Sequence, residues 1–211
     1  GEVPAFERIV IRAITNTAAL EANLRSGGID YIAGELGLSI DQATALERRM
    51  RSRYRFSYRP GLIYEHIDVN LDHPALKDVR LRQALLFGAN REAVSQALFG
   101  GRQPVAHASV APNDPAAAKD IQRYPYDLKR AAALLDEAGW PLDAKGQRRN
   151  VAGDPLAFDF MTTAGNRLRE LAQQALQSDW AKLGISVNLR NQPARVFFGE
   201  TVTKRKFNGL A

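Results

Sequence analysis

The fold is decided by residues 156–190, which read LAFDFMTTAGNRLRELAQQALQSDWAKLGISVNLR. Leu156 to Thr162 has the aromatic and β-prone composition of a strand, and Asn166 to Leu183 predicts a long helix. Gly184 is the terminator of that helix, and Ile185 to Arg190 predicts a second strand. A strand, a helix and a strand in close succession form a βαβ unit with a right-handed crossover. The stretch therefore predicts an α/β fold.

Upstream of this unit, three helices are predicted from side chains that cap a helix amino terminus. Apolar residues at helical spacing follow Asp78 and Asp127, and glycines end the helices that begin at Asn90 and Asp127. The capping residues are Asp78, Asn90 and Asp127, and the helices run to about Phe87, Phe99 and Ala138.

The segment from Leu62 to Leu71 predicts a strand with two different faces. One face, mostly apolar, is expected to point into the core, and its residues are Ile63, Glu65, Ile67, Val69 and Leu71. The other face can hydrogen-bond throughout, and its residues are Tyr64, His66, Asp68 and Asn70. A wholly polar second face lines either solvent or a cleft.

The remaining elements are predicted from shorter signals. Strands or extended segments are expected at Phe6–Ile14, Ile29–Ile32 and Tyr54–Tyr58. Helices are expected from a Thr17 cap to Leu24, from a Ser39–Gln42 capping box to Met50, and over Pro193–Lys204. A turn is expected at Pro60–Gly61, a long loop at Gln103–Pro125 and a surface excursion at Pro141–Asp154.

Composition excludes several classes of protein. The 211 residues are 45% hydrophobic and 25% charged, as in an ordinary globular chain, and no apolar run reaches the roughly 18 residues that span a bilayer. The absence of Cys removes disulfides, zinc–thiolate sites and cysteine nucleophiles. The net charge of +6 raises a nucleic-acid hypothesis, but the arginines are scattered along the chain, so no nucleic-acid partner is expected.

No catalytic motif is present in the sequence. There is no G-x-S-x-G elbow, no H-E-x-x-H, no P-loop and no G-x-G-x-x-G. The nearest metal-like cluster consists of His66, Asp68, Asp72 and His73. Polar strand and loop residues satisfied locally explain that cluster better than a metal site does. We therefore expect no enzyme, no metal and no cofactor.

Several short motifs in order resemble one family. Residues 70–85 read NLDHPALKDVRLRQAL and resemble the signature of the family 5 extracellular solute-binding proteins, which are receptors of ABC importers for peptides, nickel or oligosaccharides. Further similar stretches are SGGID at 26–30, YD at 126–127, EAGW at 137–140 and LGISV at 183–187. The family usually has Asp-Arg where this chain has Asn90-Arg91; Asn caps a helix equally well.

The resemblance implies a periplasmic-binding-protein-like lobe, with a mixed sheet flanked by helices. Residues 1–211 are expected to form one lobe, the C-terminal one, cut at both hinge crossings, with the N-terminal lobe of the same protein missing. Gly1 stands in place of Met, so we expect a processed or cut chain of a bacterial periplasmic protein whose signal peptide lies outside the fragment.

The implied function is to deliver peptides, or a similar small polar solute, to an ABC transporter permease by hinge closure on the ligand. Two alternatives stay open: a ligand-sensing domain of a cytosolic transcriptional regulator, and a small hydrolase. The sequence upstream of this chain would distinguish the regulator from the transport receptor. Catalytic turnover that a point mutation abolishes would support the hydrolase.

Two places are predicted to contact ligand. The first is the polar face of Tyr64, His66 and Asp68, since peptide-binding members of the family place ligand-facing side chains there; a solvated strand face would show the same pattern. The second lies at the carboxyl end of a strand, where open α/β sheets bind ligands and helix amides can meet a carboxylate. Its residues are Thr162, Thr163, Gly165 and Asn166, and helix capping by Asn166 alone is the alternative.

Overall fold

The computed structural model describes residues 5–33, 37–59, 61, 64–111 and 114–211. The chain forms two compact units, Gly1–Ser57 (unit 1) and Tyr58–Ala211 (unit 2). The single lobe expected over residues 1–211 stays a prediction. Among the described residues, no helix is both long and apolar enough to cross a membrane.

Unit 1 contains helices α1 (Thr17–Ser26) and α2 (Ile40–Met50). Asn16, rather than the predicted Thr17, caps α1, because its Oδ1 accepts the N–H groups of Ala18 and Ala19 at 2.8 and 3.1 Å. The capping box of α2 is confirmed. In it, Gln42 Oε1 accepts the Ser39 N–H at 3.1 Å.

The strands predicted for unit 1 are wrong. Phe6–Ile14 and Ile29–Ile32 are irregular, and Tyr54–Tyr58, which is predicted only as extended, forms no strand either. A strand exists only where its N–H and C=O groups meet a partner strand, and β-branched composition does not supply that partner. The side chains of Ile9 and Ile11 are 77% and 92% exposed.

Unit 2 is built on a three-stranded parallel sheet with the order β2-β1-β3. The strands are β1 (Ala157–Thr163), β2 (Ser186–Gln192) and β3 (Gly209–Leu210). Helix α6 (Arg167–Ala181) connects β1 to β2, so the predicted βαβ unit is confirmed. Strand β3 was missed because two residues carry no periodicity.

The core of unit 2 lies where α6 packs on the sheet. Trp180 of α6 is 3% exposed, and its ring contacts Phe158 and Phe160 of β1 with centroids 6.4 and 5.7 Å apart. The indole Nε1–H donates to the Leu85 carbonyl at 2.9 Å. Gly184 ends the connection with a φ of 78°, and a side chain there would collide with the backbone of the 141–154 segment. The Trp180 side chain thus packs α6 against the sheet.

Unit 2 contains three further helices whose predicted caps are confirmed. They are α3 (Val79–Phe87), α4 (Arg91–Phe99) and α5 (Leu128–Glu137). Asp78, Asn90 and Asp127 each accept a backbone N–H of the first turn. The Arg80 guanidinium, which hydrogen-bonds to Asp78, holds the pKa of that carboxyl below its usual value. A short 3₁₀ turn, Pro74–Lys77, precedes α3.

The predicted strand at Leu62–Leu71 is shortened to a bridge. Leu62 and Ile63 lie outside the described residues, as does Pro60 of the predicted turn. The Asp68 N–H donates to the Ala211 carbonyl at 2.7 Å, and the Ala211 N–H returns a bond of 3.0 Å, around an antiparallel bridge of Val69 with Leu210.

The two faces of this segment are only partly as predicted. Ile67 and Val69 pack on the core, but Glu65 and Leu71 are exposed. On the opposite side, Asn70 is half-buried and donates from Nδ2 to the Phe207 carbonyl at 2.6 Å, so it is structural.

The helix predicted at Pro193–Lys204 is mostly a π-helix and not an α-helix. One α-helical turn, α7 (Ala194–Val196), continues as a π-helix over Phe197–Val202. π-Helical turns are rare and occur often at functional sites. The predicted long loop is confirmed for its described residues, 103–111 and 114–125.

The segment Pro141–Asp154, predicted as a surface excursion, contains one deeply buried side chain. Arg148 is 1% exposed. It donates from Nε to the Leu183 carbonyl at 2.9 Å and from Nη1 to the Trp140 carbonyl at 2.7 Å, and it pairs with Asp136. The segment is therefore tied to the ends of α5 and α6.

Candidate functional site

The carboxyl ends of β1 and β2 lie side by side at one edge of the sheet. Thr163 pairs with Gln192 in the parallel register, and the Ala164 N–H donates to the Gln192 carbonyl at 2.7 Å. Helix α6 begins four residues after Thr163. This is the edge at which open α/β sheets bind ligands.

The loop between β1 and α6 exposes only some of its predicted residues. Gly165 and Asn166 are exposed, and Thr162 is half-buried. Thr163 is 3% exposed, and its hydroxyl accepts a hydrogen bond of 3.3 Å from Arg169 Nη1. Thr163 is thus a buried partner of Arg169 and not an exposed part of the loop.

Two amides at the junction of β1 and α6 already have side-chain partners within the chain. Gly165, with a φ of 81°, donates its N–H to Glu170 Oε1 at 3.0 Å. Asn166 Oδ1 accepts the Arg169 N–H at 3.2 Å. Helix capping by Asn166, the alternative interpretation of this loop, is therefore present, and a ligand contact by its remaining polar groups stays a prediction.

The other predicted face brings its three side chains together. The rings of Tyr64 and His66 lie with centroids 4.9 Å apart, and His66 Nε2 is 3.7 Å from Asp68 Oδ1. Both members of that pair are about half exposed, at 53% and 48%. The face offers aromatic surface, an imidazole and a carboxylate to a solute.

The metal-like cluster does not assemble. His66 lies 3.7 Å from Asp68, whereas His73 packs edge-on against the ring of Phe158, with centroids 6.2 Å apart. Within the described residues, there is no group of three or more His, Asp or Glu side chains that could hold a metal ion.

An ion pair ties the segment that carries the polar face to α6, the helix that follows the carboxyl-end loop. Arg169 of α6 reaches Glu65 of the 64–70 segment, with Nη2 to Oε1 at 2.7 Å. Its guanidinium also lies over the ring of Phe198 in the π-helix, 5.7 Å from the centroid. The segment that carries the polar face is therefore held against α6, the helix that follows the carboxyl-end loop in unit 2.

Sequence reasoning missed several residues of this region. Gln173 of α6 is 1% exposed and donates from Nε2 to the Phe160 carbonyl at 2.7 Å and to Asn191 Oδ1 at 2.8 Å. The exposed amide of Asn191 is thereby oriented at the end of β2. The buried Thr201 hydroxyl donates to Gln192 Oε1 at 2.5 Å and orients that side chain.

A signal for the missed residues was available in the sequence. Because the carboxyl ends of parallel strands share one edge, the rule that points to the end of β1 points equally to Asn191 and Gln192 at the end of β2. Arg169 and Phe198 carried no such signal, because their contacts are made between elements distant in sequence.

The chemistry of this region suits a polar solute with apolar parts. Hydrogen-bond donors and acceptors come from the loop, from Asn191 and from Asp68, while Tyr64 and Phe198 supply aromatic surface. Small-molecule sites combine apolar surface with a few placed polar groups in the same way.

Comparison with known proteins gives consistent matches. The family model described as bacterial extracellular solute-binding proteins, family 5 Middle, matches residues 1–210. The nickel-binding periplasmic protein of Escherichia coli K12 is 25% identical over 189 residues, covering 90% of this chain and 36% of that protein. A putative ABC transporter peptide-binding protein of Brucella ovis is 31% identical over 140 residues, covering 66% of this chain and 25% of that protein.

A solved structure matches in fold. The oligopeptide-binding protein of Thermus thermophilus, solved in complex with a pentapeptide, has a TM-score of 0.73 and 36% identity. The match covers 93% of this chain and 35% of that one. The chain thus spans between a quarter and a little over a third of the length of these relatives.

Proposed function

The chain belongs to family 5 of the bacterial extracellular solute-binding proteins, and from that premise we propose that it contributes the ligand-contacting surface of a peptide receptor for an ABC importer. The resemblance seen in the sequence is confirmed, and so is the α/β, periplasmic-binding-protein-like fold class. The relatives with the higher identities are named as peptide or oligopeptide binders, which supports peptide as the solute.

One observation carries the proposal beyond the family. The Glu65–Arg169 ion pair ties the segment that carries Tyr64, His66 and Asp68 to α6, the helix that follows the carboxyl-end loop of β1. A short peptide has charged termini, backbone amides and apolar side chains, and this surface offers partners to each of these groups.

In the proposed mechanism, the ligand is gripped and released without chemical change. The surface of unit 2 forms one jaw, and a second lobe of the same protein closes over the ligand through a hinge. Because ligand contacts both jaws only when they are closed, its binding shifts the population to the closed form, which a membrane permease then recognises in the periplasm.

The two alternatives receive no support from the comparisons. The relatives and the solved structure are named as binding proteins, which favours neither a regulator nor a hydrolase. We propose that the protein is not an enzyme.

The test uses the full-length protein and two site variants. Isothermal titration with defined di- to pentapeptides measures affinity, and native mass spectrometry identifies any peptide that co-purifies. Asp68→Ala and Asn166→Ala are each expected to weaken peptide binding by about fivefold, since each removes one polar contact.

Matched controls separate ligand contact from folding. Asn90→Ala removes the same kind of helix cap from α4, and Asp154→Ala removes an exposed carboxylate before β1, at the opposite edge of the sheet. Neither control is expected to change affinity. If Asp68→Ala and Asn166→Ala both stay within about twofold of wild type, the assignment of these site residues is withdrawn. Absence of any peptide binding by the wild-type protein would refute the proposed function.

A further inference from the structure

Arg169 is in contact with three parts of unit 2 that are far apart in sequence. Nη1 donates to the Thr163 hydroxyl at the end of β1, and Nη2 lies 2.7 Å from Glu65 Oε1. The guanidinium plane lies over Phe198 of the π-helix. Its side chain is 30% exposed, so these contacts are made at the border between core and solvent.

Glu65 is the partner that connects Arg169 to the predicted ligand face. In an extended segment, successive side chains point to opposite sides, so Glu65 is directed away from its neighbours Tyr64 and His66. Its carboxylate can therefore be held by α6 while those two rings remain available on the other side.

The backbone leaves this end of the segment weakly fixed. Among the residues that the structure describes, the backbone hydrogen bonds of the segment begin at Asp68, which pairs with Ala211. Tyr64, Glu65 and His66 precede that first bond. Within the described residues, the Arg169–Glu65 pair is thus a polar contact that ties residues 64–66 to α6.

We propose that Arg169 is a positioning residue, which acts on the ligand through Glu65 by holding Tyr64 and His66 in register with the carboxyl-end loop. The inference rests on the proposed function, and it assigns to Arg169 no direct contact with ligand. A guanidinium suits this role because its planar fork directs separate N–H groups to Thr163 and Glu65 while its face stacks on Phe198.

The neutral variants Arg169→Gln and Glu65→Gln separate positioning from direct contact. If Arg169 acts through Glu65, each variant weakens peptide binding by about fivefold, and the double variant is no weaker than either single one. If Arg169 itself binds a ligand carboxylate, Glu65→Gln frees the guanidinium, so affinity is unchanged or higher. That second result overturns the proposal.

A second measurement tests the positioning role even if no peptide affinity can be measured. Hydrogen–deuterium exchange of residues 64–67 in the ligand-free protein is expected to be faster in both variants than in wild type. If the wild-type protein binds no peptide, the proposed function fails, but this exchange measurement still decides the positioning role. Unchanged exchange in both variants would overturn it.

A matched control comes from α5. Arg130 and Glu137 form an exposed ion pair at 3.6 Å, with 50% and 53% of their side chains accessible. Arg130→Gln makes the same chemical change, and it is expected to alter neither affinity nor the exchange of residues 64–67. A change equal to that of Arg169→Gln would show a general charge effect and would contradict the positioning role.

Discussion

The two compact units differ in how deeply they bury the same kinds of apolar side chain. In unit 2, Phe158 and Phe160 are 2% and 4% exposed and belong to a continuous core. In unit 1, Phe6 and Ile11 are 73% and 92% exposed. The difference follows from partners within the chain: β1 is paired on both sides by β2 and β3 and covered by α6, whereas the described residues 5–14 form no strand.

This contrast shows what a strand-like sequence does and does not determine. Phe6–Ile14 and Leu156–Thr162 both have the composition of a strand, and only the second becomes one. Composition sets a propensity of limited size, while pairing and burial decide the outcome.

The largest expected effect comes from the matched variants Phe158→Ala and Phe6→Ala. Removing the buried ring of Phe158 is expected to lower the free energy of unfolding by about 3–5 kcal/mol, because it leaves a cavity against Trp180. The same change at Phe6 is expected to stay within about 0.5 kcal/mol. Urea denaturation followed by circular dichroism measures both. Equal losses would remove the distinction between the two units.

A smaller effect is expected for two arginines. Arg148→Met leaves the carbonyls of Leu183 and Trp140 without their donor, at an expected cost of about 2–3 kcal/mol. Arg49→Met in unit 1 breaks a pair with Glu21 in which Arg49 is 57% exposed, and a loss of at most about 1 kcal/mol is expected. Thermal unfolding of both variants checks the order. A larger loss for Arg49→Met would contradict the burial argument.

The smallest effect is expected for two helix caps. Asn166→Ala and Asn16→Ala each remove a side chain that accepts backbone N–H groups, and each should cost about 1 kcal/mol. Because α6 packs on the core, the first loss is expected in the global stability of unit 2. The second is expected as faster amide exchange within α1. Global destabilisation of unit 2 by Asn16→Ala would contradict the expected difference between the two caps.

Most of the fold of unit 2 was predictable, because its elements are specified by residues close together in the chain. Capping residues such as Asp78 and Asn90 act within three residues of the amides they satisfy, and the βαβ unit is contiguous in sequence. Strand β3 and the bridge of Val69 with Leu210 were not predictable, since they depend on pairing between residues far apart.

The candidate site was predictable only in part for the same reason. The rule for carboxyl ends of strands led to Thr162–Asn166, but it could not show that Thr163 is buried. The contact of Arg169 with Glu65 joins residues 104 positions apart, and the sequence carries no local sign of it.

The most direct test of the account is hydrogen–deuterium exchange of the full-length protein with and without a mixture of short peptides. Ligand is predicted to slow exchange in residues 64–68 and 162–169, with residues 73–78 and 150–156 at the other edge of the sheet unchanged. Slower exchange confined to that other edge, or peptide binding without any change in residues 64–68 and 162–169, would contradict a ligand surface at the carboxyl edge of the sheet.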